Sequence, residues 1–152
     1  IGYLDADLSS SFDEFLRVAK HLSKKTLFVF GSRILKLDNK ISRKKYRFLI
    51  GRFIATIISN ILKFSVYDTQ CGCKVFDCRL IGVIFEKKFI SKWLFDVEIL
   101  LRLRRQYGKQ KLKKLVKEIP LEVWIDTPDS RVSFLYFFKI WSDLFKINQK
   151  YN

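Results

Sequence analysis

Asp5 and Asp7 stand two residues apart, directly after the apolar run Ile1-Gly2-Tyr3-Leu4. In an extended segment alternate side chains share a face, so this spacing predicts two acids side by side at the carboxyl end of a strand. That is where open α/β sheets hold their ligands. Neighbouring carboxylates repel unless a cation lies between them or one takes up a proton. A hard divalent ion, Mg2+ or Mn2+, held by oxygen ligands and by substrate phosphates resolves the conflict. Asp-x-Asp is a short motif, and a loop that simply carries two acids stays the competing reading.

A second concentration of polar chemistry lies at 66–74, Val-Tyr-Asp-Thr-Gln-Cys-Gly-Cys-Lys, which gathers Asp68, Gln70 and Lys74 in one turn. Arg33 follows Gly31-Ser32 at the end of the run Thr26 to Phe30, so a strand is expected to deliver a cation to a loop. Asp96 and Glu98 follow Trp93-Leu94-Phe95. For these two the structural readings outweigh catalysis: Asp96 suits the cap of a helix beginning near Val97, and Glu98 an ion pair with Arg102 one turn on. His21 is far from any acid cluster and reads as a solvated or packed helix residue. Cys71, Cys73 and Cys78 have no fourth ligand nearby, so a zinc site is not expected. Their odd number, with no signal peptide before them, points to a reducing, cytosol-facing location.

The elements that must position these residues alternate between strand and helix, so the fold class expected is α/β. At 152 residues, 49% hydrophobic and 16% aromatic, the chain suits one domain with a packed core rather than a disordered tail. Ser11 and Glu14 form a capping-box pattern ahead of Phe12, Phe15, Leu16, Ala19 and Leu22, which predicts a helix from about Ser11 to Ser23. A helix from Trp93-Leu94-Phe95 to about Tyr107 should end at Gly108. Lys117 to Trp124 alternates and carries Pro120, as an edge strand does. Ser130 to Ile147 reads as a last aromatic-rich helix. The chain has no Met and its first residue already lies inside a strand, so a preceding segment is expected.

The formal charge of +15 favours phosphates, nucleic acid or an anionic membrane surface as partner. Lys36 to Arg47 holds six cations against one acid, and Arg102 to Lys117 holds eight with none. Between them, Tyr46, Leu49, Ile50, Phe53, Ile54, Ile57, Ile58, Ile61 and Leu62 recur on one helical face. Arg52, Asn60 and Lys63 interrupt a stretch already short for a span of about 20 residues. Two readings stay open: a helix lying in a membrane interface, with Phe53 and Ile57 buried in lipid and Arg43, Lys44, Lys45 and Arg47 at anionic headgroups, or a helix packed on the protein's own sheet.

In order and spacing, Asp5-Ala6-Asp7, Gly31-Ser32-Arg33, Tyr67-Asp68-Thr69-Gln70-Cys71-Gly72, Lys74-Val75-Phe76, Trp93-Leu94-Phe95-Asp96-Val97-Glu98, Glu118-Ile119-Pro120 and Ser130-Arg131-Val132 resemble the polyprenyl-phosphate glycosyltransferases of family 2. The likeness is greatest to the dolichyl-phosphate β-glucosyltransferases and covers nearly the whole chain. It implies the C-terminal portion of a GT-A fold, a single domain over 1–152 with an inserted amphipathic interfacial helix, lacking the N-terminal nucleotide-binding half. It further implies inverting transfer of a sugar, glucose from UDP-glucose, to a polyprenyl or dolichyl phosphate at the cytoplasmic face of a membrane. In this reading Asp5, Asp7 and Gln70 hold Mg2+ or Mn2+. Arg33, Lys74 and Arg131, with Ser130, Asp96 and Glu98 beside them, contact phosphate or substrate. Asp68 serves as base or only orients substrate, since a phosphate monoester with a second pKa near 6 is already largely a nucleophilic anion at neutral pH. Arg131 replaces a Lys of many relatives, keeping the charge but altering phosphate geometry.

Two other classes compete. Basic charge interleaved with aromatics is compatible with nucleic-acid binding, although no RNA-binding sheet signature, zinc-finger spacing or helix-turn-helix pattern is present, and no nucleic-acid partner is expected. A catalytically silent basic protein of the membrane surface is the other.

Overall fold

A computed structural model describes residues 1–34, 40–42, 45–125 and 135–151, with side chains left undescribed at 42, 45–48 and 135–138. A four-stranded sheet in the order β1-β4-β2-β5 forms the centre, from β1 (Gly2–Tyr3), β2 (Phe28–Ser32), β4 (Lys74–Phe76) and β5 (Val116–Pro120). β4 runs antiparallel to both β1 and β2, while β2 and β5 are parallel. A separate pair joins β3 (Lys40–Ser42) and β6 (Val123–Ile125). The stretch expected as one edge strand over Lys117 to Trp124 is therefore two strands in two sheets. Pro120, which has no N–H for a ladder, closes β5 at the sheet edge.

The alternation of β2 places a core on each face of the sheet. Phe28 and Phe30 pack into the larger cluster with Phe76, Ile58, Leu62, Leu100 and Leu144. Val29 points the other way, toward Val18, Val75, Ile119 and Trp124. The smaller cluster is covered by α1 (Phe12–Ala19), shorter than the helix expected to Ser23. Ser11 caps it by accepting the Glu14 N–H at 3.2 Å, but the Glu14 carboxylate turns away to Arg17 and to the Glu122 N–H, so only half of the capping box closes.

The larger cluster is covered by α2 (Lys45–Leu62), α4 (Phe95–Leu115) and α5 (Leu135–Tyr151), with the short α3 (Ile81–Ile84) beneath α4. Gly108 interrupts α4 with φ 75° and ψ 160°, a conformation that favours Gly, yet helix resumes beyond it to Leu115. The sequence marks the break but not the continuation. α2 is not apolar on one free face. Ala55, Ile58 and Leu62 are buried, whereas Leu49 and Phe53 are 67% and 62% exposed and Ile57 is half-buried. Packing on the protein thus takes the C-terminal half of the helix. No helix among the described residues is long and apolar enough to cross a membrane. Arg43, Lys44, Ser130 and Arg131 lie outside the described residues; Lys45 and Arg47 fall in the first turn of α2.

Candidate active site

β1 ends at Tyr3, and the chain then turns rather than extends. The Leu8 N–H donates to the Asp5 carbonyl at 3.0 Å, and Asp7 Oδ1 accepts the Ser9 N–H at 3.0 Å. The two acids are neighbours through a turn, not through strand alternation. Asp5 keeps access to solvent, but protein around it penalises its charge. Burial, and after it the Asp7 carboxylate, push its pKa up, against the opposing pull of Lys74, Arg33 and the Gly72 N–H. Gly72 is required for that approach, because a Cβ there would fall on the Asp5 carboxylate.

Arg33 leaves the end of β2 and meets Asp68 in a two-pronged ion pair, Nε to Oδ2 at 2.6 Å and Nη2 to Oδ1 at 2.8 Å, while its own N–H adds a bond to Oδ2 at 3.2 Å. Burial works against the guanidinium cation, but the Asp68 charge and hydrogen bonds outweigh it and raise the Arg33 pKa. The Arg33 guanidinium also lies 5.2 Å from the centre of the Trp124 ring. Asp68 is held from below by Glu118, whose carboxylate accepts the Tyr67 N–H at 2.9 Å and the Asp68 N–H at 2.7 Å. Arg52 of α2 stacks on Tyr67 at 3.9 Å and donates to its carbonyl at 3.0 Å, tying helix to turn. Next to Asp68, Thr69 Oγ1 and Gln70 Nε2 are buried with no hydrogen-bond partner.

Lys74 has an occupation other than the phosphate contact expected of it. It is buried in β4, pairs with Asp96 at 2.9 Å and donates to the Cys71 carbonyl. Asp96 does not cap its helix; the N-cap position is Leu94, and the Asp96 carboxylate, two residues inside, takes the Tyr3 hydroxyl as well as Lys74. Burial raises the Asp96 pKa despite Lys74, and burial with Asp96 raises that of Tyr3. Glu98 does pair with Arg102, at 3.6 Å, and also accepts the N–H groups of Ile90 and Ser91. It anchors α4 away from the acidic turn. His21 lies just past the end of α1, with its Nδ1 3.1 Å from the Arg17 carbonyl. Burial lifts the Cys71 thiol to about 12, and Cys73 is buried likewise, while Cys78 is exposed.

The charges of Asp7, Lys74 and Arg33 thus bear on Asp5, while Arg33 is itself paired with Asp68 and Lys74 with Asp96. Tyr3 and Trp124 were not singled out from sequence, and Glu118 stood there only within the motif Glu118-Ile119-Pro120, with no role of its own. A carboxylate inside a strand, flanked by Val116 and Ile119, is the signal that could have found Glu118. Glu118 gives a separable prediction. Its pKa is raised by burial in spite of the two backbone donors, so the charge itself is disfavoured there. Glu118→Gln keeps an acceptor oxygen and should unfold in urea near the wild-type midpoint. Glu118→Ala strands two N–H groups and should lose about 2–4 kcal/mol; equal midpoints for the two variants would show that the carboxylate does not hold the turn.

Compared with known proteins, the chain is 30% identical over 152 residues to a dolichyl-phosphate beta-glucosyltransferase of Trichomonas vaginalis, covering 95% of this chain and 44% of that protein. The Dictyostelium discoideum dolichyl-phosphate beta-glucosyltransferase is 28% identical, across 97% of this chain and 45% of its own length. The human dolichyl-phosphate beta-glucosyltransferase is 26% identical, across 97% and 46%. The chain spans less than half the length of the curated relatives it matches. No family model matches it. No solved structure does either. The likeness drawn from the ordered motifs is thus met by enzymes of that glycosyltransferase type along nearly the whole chain.

Proposed function

We propose, for a chain similar along almost all its length to dolichyl-phosphate β-glucosyltransferases, that it forms the part of such an enzyme where glucose passes from UDP-glucose to a polyprenyl phosphate, with inversion at the anomeric carbon. The observation that carries the reading is the Asp5 carboxylate lodged against Gly72, with the charges of Asp7, Lys74 and Arg33 near enough to bias its ionisation. That is an acidic pair bordered by cations, at the edge of an α/β sheet.

The donor set fits a hard divalent ion. Mutual repulsion between Asp5 and Asp7 is what a bound cation relieves, and Mg2+ commonly takes one or two carboxylates and completes its shell with water and substrate phosphates. Among the described residues no group of three or more His, Cys, Asp or Glu is gathered, so the set we propose is the two carboxylates completed by water and substrate phosphates. The ion would supply Lewis-acid neutralisation of the leaving diphosphate. Gln70 is the third ligand we propose, since exchanging amide N and O at its unpartnered nitrogen would present an oxygen.

Asp68 acts in this reading as an orienting group. Both of its oxygens are engaged by Arg33, and an acceptor phosphate that is already an anion needs no base. Arg33 Nε and Nη2 are taken by Asp68, so Nη1 is what it offers a phosphate oxygen. Ser130 and Arg131 remain proposed phosphate contacts. Asp96 and Glu98 act through position, Asp96 by fixing Lys74 and Tyr3, and Glu98 by fixing α4. Donor discrimination tests the proposal in the protein completed to the length of its relatives: labelled UDP-glucose with dolichyl phosphate should yield a glucolipid, and equal transfer from GDP-mannose or UDP-galactose would contradict the assignment.

The same reading places the protein on the cytoplasmic face of a membrane through α2 and α5. Leu49 and Phe53 are exposed, the Phe53 ring meets Trp141 at 6.2 Å, and Trp141 and Phe145 are exposed one turn apart. The cationic run Arg43 to Arg47 adjoins this apolar surface in sequence, a combination that suits anionic lipid. Replacing Leu49 and Phe53 by Ser should lower flotation with phosphatidylserine-containing vesicles about tenfold, on burial of about 25 cal/mol per Å2. Undiminished flotation would return the surface to a protein–protein role.

A further inference from the structure

The C-terminal halves of α2 and α4 meet around an open groove of about 410 Å3 with a basic lining. Lys63, Lys109 and Lys113 border it, with Ser59, Asn60 and Ser65 between them, and no carboxylate takes part. Lys109 and Lys113 are four residues apart, so both project from one side of α4. Cations around a concavity concentrate positive potential more than the same cations on a convex face. The negative end of the α2 dipole opposes this, but its last carbonyls are occupied: the Phe64 N–H donates to Ser59 O and the Lys63 N–H to Asn60 O, each at 3.2 Å. Three full charges exceed that partial one.

Lys63 follows the last residue of α2 with φ 50°, the left-handed conformation in which helices normally end on Gly. That conformation ends α2 beside the groove and leaves the exposed Lys63 side chain at its rim. Along α4, Lys109 is 13 residues from Asp96, about 20 Å of helix. The groove is thus distinct from the acidic turn.

We propose that this groove binds a phosphate group, carried by a soluble phosphate monoester or by an anionic lipid headgroup. Ammonium groups take phosphate oxygens as compact point charges, and the hydroxyl and amide groups between them supply neutral donors. The inference is independent of the glycosyl-transfer reading.

Titrating the 152-residue chain with inorganic phosphate, followed by amide shifts at 59–65 and 109–113, tests the proposal, together with flotation on phosphatidylcholine vesicles with and without phosphatidic acid. Lys63→Gly should weaken phosphate about tenfold while raising the unfolding temperature, because charge is lost and backbone strain relieved. A purely structural Lys63 would not move binding and stability in opposite directions. Lys109→Ala with Lys113→Ala should weaken binding about a hundredfold without unfolding the chain. Lysine-dependent shifts with inorganic phosphate identify the soluble source, and lysine-dependent flotation without such shifts identifies the headgroup. Wild type and the double variant behaving alike toward both probes would overturn the proposal.

Discussion

Asp7→Asn in the protein completed to the length of its relatives is expected to slow glucose transfer about a thousandfold, equivalent to about 4 kcal/mol in the transition state. The substitution removes one charge of the acidic pair but keeps an oxygen for the Ser9 N–H that Asp7 Oδ1 now accepts at 3.0 Å. The hydrogen bond within the turn is therefore kept. On the proposed metal site the loss would be chemical: with one carboxylate left, Asp5 would not by itself hold a divalent ion against water and the donor diphosphate. Steady-state rates with and without added Mn2+ check this, and wild-type turnover by the variant in chelator would remove the metal from the account.

Asp96→Ala should act on the fold rather than the chemistry. Lys74 is 1% exposed, and its ammonium faces Asp96 at 2.9 Å; the Tyr3 hydroxyl shares the same carboxylate. Removing Asp96 leaves a buried cation and a buried hydroxyl without their partner, a change that costs about 3–5 kcal/mol. That is a large fraction of the stability of a domain of this size. Urea unfolding should show a marked fall in midpoint, and the double change Lys74→Met with Asp96→Leu should recover much of it, because an apolar pair of similar volume suits the site. A midpoint unmoved by Asp96→Ala would mean that the pair is solvated.

The sequence made the order of chemistry legible better than its geometry. Asp5-x-Asp7, Arg33 after a strand, and the turn 67–72 were visible because turns, Gly and short apolar runs mark where a sheet presents polar groups. What stayed hidden was pairing across distance. That Arg33 takes both oxygens of Asp68, that Lys74 turns inward to Asp96, and that Glu118 supports the turn from β5 depend on contacts 22 to 50 residues apart, which no local pattern encodes. α2 shows the same limit. Its periodicity reveals an apolar face, but whether lipid or α4 covers it is decided by tertiary packing, and here Ile58 and Leu62 are buried while Leu49 and Phe53 are not.

The most direct test of the central claim replaces the matching segment of the Trichomonas vaginalis relative with residues 1–152 of this chain and measures glucolipid formed from UDP-glucose and dolichyl phosphate. Metal-dependent product is expected from the chimera and none from the same chimera carrying Asp7→Asn. A folded chimera that makes no glucolipid while the unaltered relative does, or one whose Asp7→Asn form is fully active, would contradict it.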